Sequence, residues 1–263
     1  MKNRKIWVML VGLFTALTNG FMGTTLTFAE ENEASQTIEQ PSYISDFPNQ
    51  VGHWQDLVGT AEKKNDSAGL WIANTKQGTN LESVSINLDA REQSSGDLEL
   101  TFLYEGQSNF GLVFRGDKQK TSQWQSFAYN RDGSWQLGQP GGKWLTNIPG
   151  PTLLSGQQYK LLVRYDGKKI QTFLNDQLFY ENEEVHYPDG TSINDDWMGA
   201  VGIRLFGNLS KLNIISMKSG PVGSIPVIDS SAEYRELKEK WRNQLVSKEY
   251  DSTNQALVDY VQK

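Results

Sequence analysis

The chain has 263 residues, 37% of them hydrophobic and 21% charged, and a formal charge of −6; this suits a folded domain and speaks against a general nucleic-acid binder. It contains no cysteine and two histidines, His53 and His186, which excludes disulfides and thiolate metal sites and leaves little for a histidine-based hydrolase or zinc centre. Eight tryptophans, ten tyrosines and 24 glycines suit twisted sheets and turns better than helix bundles.

Lys2, Arg4 and Lys5 form a basic leader ahead of the apolar run IWVMLVGLF, and small residues then lead to Ala29. This is the layout of a secretory signal peptide over residues 1–29, so the expected location is extracellular. The apolar run is shorter than the roughly 20 residues of a spanning helix, and no membrane contact is expected once the leader is removed. Residues 30–42 are polar and read as a flexible lead-in.

Between 43 and 220 short alternating runs are punctuated by Gly, Asn and Asp: SVSINLDA, DLELTFLYE, FGLVFRG, QWQSFAYN, SWQLGQ, YKLLVRYDG, KIQTFLNDQLFYE, GAVGIRLFG and LSKLNIISMK. Asn130-Arg131-Asp132-Gly133 and Asp166-Gly167-Lys168 are hairpin turns, each with a glycine where positive φ is needed. No strand–helix–strand alternation occurs, so the fold class is all-β, an antiparallel sandwich. Residues 221–229 read as a linker. Beyond it, Ser230 to Glu233 fits a capping box, and Tyr234, Leu237, Trp241 and Leu245 fall on one helical face. A second short helix is expected over Gln255 to Val261.

Two stretches carry family resemblances. FGLVFRG, QSFAYNRDGSWQL, YKLLVRYDGKKIQTFLNDQLFYE and GAVGIRLFGNLSKLNIISMK, in that order, resemble a concanavalin A-like (laminin G-type) jelly-roll sandwich over about residues 43–220. Such sandwiches serve lectins, carbohydrate-binding modules and glycosidases alike, so the resemblance implies a fold more than a function. EYRELKEKWRNQLVSKEYDSTNQALVDYVQK is similar to the opening of the helical catalytic domain of family 8 polysaccharide lyases. Leader, sandwich, linker and helical start follow the order of Gram-positive hyaluronate lyases. The resemblance implies a carbohydrate-binding module ahead of an incomplete lyase domain over residues 230–263. That family's catalytic residues lie further downstream, so none is assigned here and the chain is expected to bind and not to cleave. An apolar helical stripe needs partner helices, which again favours the remnant of a longer lyase over a tail packed on the sandwich or on a second copy.

Strand alternation divides the aromatic hairpin. Trp124, Ser126, Ala128 and Asn130 share one face, and Phe127 and Tyr129 share the other. Leu112 and Phe114 are natural core residues, which sends Arg115 outward to join Trp124 and Asn130; the facing of Trp135 depends on register. Arg115, Lys118, Lys120, Arg131 and Lys143 outnumber Asp117 and Asp132 across Phe110–Leu145. The candidate ligand-binding residues are therefore Arg115, Trp124, Asn130, Arg131, Trp135, Lys143 and Trp144. Indole rings take the C–H face of a sugar and guanidinium takes a carboxylate, so the expected partner is an acidic, uronic-acid-containing polysaccharide bound by a monomer; the lyase resemblance implies that this is hyaluronan or a related glycosaminoglycan.

Two rivals remain open at this stage. A laminin G-like adhesin domain would bind host proteins. A sandwich glycosidase would use paired carboxylates, and Asp97 and Glu99 share a face at i, i+2, although the third acidic residue of the usual glucanase pattern is missing. No cofactor is implied. Calcium, known for such folds, finds no defensible ligand spacing at Asp195-Asp196 or Asn65-Asp66, which read as turn residues.

Overall fold

A computed structural model of the protein describes residues 42–44, 51–66, 69–74 and 81–227, together with the helical positions Glu236, Lys240, Trp241 and Asn243. By contacts the chain divides into residues 1–37 and 38–263, and every described residue belongs to the second unit. The leader and nearly all of the lead-in lie outside the described residues. Among those described, no helix is long and apolar enough to cross a membrane.

Among the described residues, fifteen strands build two antiparallel sheets. One runs β13 (Gln177–Asn182), β12 (Lys169–Leu174), β11 (Gln157–Asp166), β6 (Gly96–Tyr104), β15 (Lys211–Gly220), β4 (Gly69–Ala73) and β3 (Glu62–Asp66), with β1 (Ser42–Ile44) paired to the far end of β15. The other runs β10 (Lys143–Ile148), β9 (Trp135–Gln139), β8 (Gln125–Tyr129), β7 (Asn109–Gly116), β14 (Ala200–Phe206), β5 (Glu82–Asn87) and β2 (Trp54–Val58). We call them the eight-stranded and seven-stranded sheets. The all-β antiparallel sandwich expected from the sequence is the fold observed.

Alternation decides what fills the space between the sheets. Leu98, Leu100 and Phe102 of β6 face Phe110, Leu112 and Phe114 of β7 and Phe127 and Tyr129 of β8. Trp135 joins them: its ring stacks on Phe127 with centroids 5.6 Å apart, and its indole N–H donates to Pro151 O at 3.0 Å. Phe179 and Tyr165 close the layer from the other sheet. Each large apolar side chain buried in this way contributes about 1.5–3 kcal/mol, so a core of this extent needs no disulfide. The hairpin β12–β13 turns at Asn175 and Asp176, with φ of 49° and 68°. Two successive positive-φ residues match the twist of the strands, and Asn and Asp tolerate that region.

Residues 221–227, read above as the start of the linker, lie against the outer face of the eight-stranded sheet. Ile225 is buried with Leu162, Phe173 and Leu178. Its N–H donates to Asp97 Oδ2 at 3.0 Å, and its carbonyl accepts from Arg164 Nη2 at 2.9 Å. In the tail, Trp241 is buried edge-on against Phe179, with centroids 6.0 Å apart, while Glu236, Lys240 and Asn243 are exposed. The sandwich itself thus covers this position of the helical stripe, a partner that the remnant reading did not expect. Tyr234, Leu237, Leu245 and the second helix lie outside the described residues.

Candidate functional site

The residues singled out from sequence do not come together in one place. Trp135 belongs to the core between the sheets, so its expectation as a ligand residue is corrected. The reason is register: Trp135 pairs with Tyr129, a core residue, and takes the same face.

Arg115 is the larger correction. The strand pairing of β7 with β14 slips between Ala200 and Gly202, so that Phe114 and Arg115 together oppose a single residue, Val201. Arg115 takes a φ of 55° at this bulge. A bulge breaks alternation and re-aims the next side chain, and here it turns the guanidinium inward. Arg115 is 0% exposed. Its Nε donates to Ser94 O at 2.7 Å, Nη1 to Gln125 Oε1 at 2.8 Å and to Asn194 O at 3.2 Å, and Nη2 to Gly167 O at 2.7 Å. The guanidinium carbon lies 5.3 Å from the ring centroid of Tyr165. Burial pushes its pKa down, yet guanidinium keeps its charge at any ordinary pH. This arginine ties four segments together at one end of the sandwich.

Asn130 and Arg131 occupy the β8–β9 turn. Asn130 Nδ2 reaches Ser134 Oγ at 3.1 Å and its N–H reaches Ser134 O at 2.8 Å, so it closes the turn. Arg131 is exposed at the tip. Lys143 pairs across from Gln139 and donates to Thr191 Oγ1 at 3.0 Å.

Trp124 and Trp144 do share the outer face of the seven-stranded sheet, and there the structure adds a residue that the sequence reading did not consider. Trp124 is 1% exposed and gives its N–H to Thr121 O at 3.1 Å. The ring of Trp144, half-buried on the edge strand β10, lies over Gly138, where any side chain would collide with it. The two indoles are 6.1 Å apart. Across the sheet, the guanidinium of Arg204 in β14 sits 4.2 Å from the Trp144 ring, 5.5 Å from Trp124 and 4.1 Å from Phe206. Cations favour the faces of such rings. Its Nε donates to Glu82 Oε1 at 2.5 Å. Among the described residues its buried Nη1 finds no hydrogen-bond partner, and neither does Ser126 Oγ on the same face. Burial lowers the pKa of Arg204 against the opposing pull of Glu82. A cavity of about 370 Å³ opens beside this cluster, lined by Leu81, Glu82, Arg204, Phe206 and Gly207. The sequence signal for Arg204 existed in the alternation of GAVGIRLFG, where Arg204 shares a face with Gly202 and Ala200 and opposes Val201, Ile203 and Leu205.

The rival carboxylate pair sits on the other sheet. Asp97 is fully buried and takes a two-pronged bond from Arg164, Nε to Oδ1 at 2.7 Å and Nη2 to Oδ2 at 2.8 Å. Glu99 pairs with Lys218 at 3.0 Å. Both pairings are directly cross-strand. Among the described residues, no group of three or more His, Asp or Glu side chains is placed to hold a metal ion.

No protein-family model matches the chain. Among solved structures it is similar to a Bacillus subtilis protein of unknown function with a galectin-like fold, at 13% identity over 69% of this chain and 96% of that one, with a TM-score of 0.52. The fold is a galectin-like sandwich. The carbohydrate-binding module CBM66 from Bacillus subtilis is also similar, at 16% identity, 60% and 94% coverage and a TM-score of 0.43. So is a Bacillus licheniformis β-glucanase, at 10% identity, 68% and 97% coverage and a TM-score of 0.45. At these identities the likeness is one of fold, and function rests on the site.

Proposed function

We propose that this chain is a carbohydrate-binding sandwich that takes an acidic polysaccharide, hyaluronan or a related glycosaminoglycan, on the outer face of its seven-stranded sheet. The observation that carries the reading is the unpartnered Nη1 of Arg204, held between Trp144 and Phe206 at the edge of a cavity. A buried donor left unbonded costs about 1–3 kcal/mol, and a ligand carboxylate would satisfy it with a charge-assisted bond. The flanking rings offer faces for the C–H side of a pyranose.

Carboxylate chemistry within the sandwich has no support at Asp97 and Glu99, whose oxygens are engaged by Arg164 and Lys218. The basic and apolar leader supports export, and the tail's resemblance supports kinship with family 8 lyases; both rest on sequence. Calorimetric titration of the full chain with hyaluronan oligosaccharides tests the binding reading. Arg204→Met keeps the apolar stem but removes the guanidinium with its donors and its charge, and should weaken binding by at least about tenfold. Equal affinity in the variant and the parent chain would overturn the assignment.

A further inference from the structure

A second cavity, about 510 Å³, opens at the turn end of the sandwich among Glu105, Gln107, Arg131, Leu209 and Lys211. Its size is that of a small-ligand pocket. Its charge is uneven: Lys211 is paired with Glu105, whereas the guanidinium of Arg131 has no acidic partner among the described residues. Gln107 and Leu209 hold φ of 53° and 55° on two of its loops, and the Leu209 side chain is 59% exposed. Non-glycine residues in that region are uncommon and cluster where a loop is held in a set shape for a ligand.

The two cavities meet at one turn. Gly207 lines the Arg204 cavity, and the next two residues, Asn208 and Leu209, line this one. Asn109 joins the two sides: its Nδ2 donates to Phe206 O at 3.0 Å, and its Oδ1 accepts from the Arg131 N–H at 2.8 Å. The backbone that carries the ring at the first site is thereby tied to the backbone that carries the free guanidinium at the second.

We infer that the Arg131 cavity is a second subsite for the same ligand, which seats a further carboxylate of a polyanionic sugar chain as it passes over the Gly207–Leu209 turn. The inference rests on the proposed reading of the Arg204 face. Arg131 supplies the planar donor pair that a carboxylate takes, and Leu209 supplies the apolar contact for the ring that bears it. The ligand class is accordingly a chain with regularly repeated carboxylates, recognised at two points. Linking two contacts on one ligand makes affinity depend on length, because only a chain that spans both points gains from the second.

The test is a calorimetric titration of the full chain and of Arg131→Ala with a hyaluronan tetrasaccharide and a hyaluronan decasaccharide. The parent chain should bind the longer ligand more tightly. Arg131→Ala should lower affinity for the decasaccharide by about tenfold and leave the tetrasaccharide within about twofold. Tetrasaccharide binding with no gain on lengthening, or an Arg131→Ala effect that is nil or equal at both lengths, overturns the second subsite and leaves the Arg204 reading standing. Failure of the parent chain to bind either length overturns both.

Discussion

Arg115 in β7 and Arg204 in β14 lie on neighbouring strands of one sheet, and both are buried, yet their surroundings differ in kind. Arg115 makes four hydrogen bonds, three of them to carbonyls of separate loops and turns. Arg204 pairs with one half-buried carboxylate, lies among three aromatic rings and leaves Nη1 unbonded. The first is a structural tie with four hydrogen bonds to the protein from its five N–H donors. The second keeps a donor that the described residues do not meet, and the proposed reading gives that donor to a ligand. Burial of a cation does not mark a binding site by itself; a buried donor left unmet is what calls for an explanation.

Arg115→Ala is the strongest way to break the comparison. It strands the carbonyls of Ser94, Gly167 and Asn194 together with Gln125 Oε1, and should cost about 4 kcal/mol in urea unfolding. Arg204→Met should cost less, because the apolar stem remains and what is lost is one ion pair to a half-buried carboxylate and the cation–ring contacts, with no buried carbonyls stranded. Its loss should appear in ligand affinity instead. If the two substitutions proved equally destabilising, the division between tie and site would collapse.

The two regions also differ in how far the sequence disclosed them. The strands of the hairpin, the core facing of Phe127 and Tyr129, and the outward facing of Trp124 followed from period-two alternation, which holds wherever pairing is regular. Arg115 was misplaced because a bulge is a local exception to that period. FGLVFRG carries no mark of it, since arginine is an ordinary residue for a strand and an unusual one for positive φ. Trp144 was named from composition, but β10 itself was missed: KWLTNI alternates weakly and lies on an edge. The alternation of GAVGIRLFG gives the facing of Arg204, but not that its strand lies two places from β8 in the same sheet. What links Trp144 to Arg204 is a meeting across the sheet between residues sixty positions apart, and no periodicity records that.

An alkaline limb separates the regions further. Tyr165, under the Arg115 guanidinium, is pushed up to about 12 by burial, as is Tyr129 in the core. Burial also raises Tyr187, whose hydroxyl meets Gln139 at 3.4 Å, itself bonded to Gln125 and so to Arg115. In the unfolded chain these phenols ionise near 10. Between pH 10 and about 12 the unfolded state therefore binds fewer protons than the native one, and stability falls as pH rises. Each tyrosine contributes about 1.4 kcal/mol per pH unit over that range. Urea midpoints across the range should show the decline, and Tyr165→Phe should make it shallower. A decline of unchanged slope in that variant would show that Tyr165 is not kept neutral by its burial.

The smallest effect bears on Arg204. Glu82 is the native counter-ion of Arg204, and its side chain is 32% exposed, so solvent screens much of the attraction between them. It also competes with any anionic ligand for the same guanidinium. Glu82→Gln keeps an oxygen to accept from Nε and removes the charge. Affinity for hyaluronan oligosaccharides should then rise, by about threefold at low salt, with the gain shrinking as salt is added. Folding stability should change by less than about 1 kcal/mol. The sign of the affinity change is what matters. A ligand that meets Arg204 through a carboxylate must gain when the competing carboxylate goes, whereas one that contacts only the rings should be indifferent to it. A loss of affinity on Glu82→Gln would mean instead that Glu82 holds the guanidinium in place for the ligand, and the site would then recognise neutral sugar hydroxyls through the pair, as one unit.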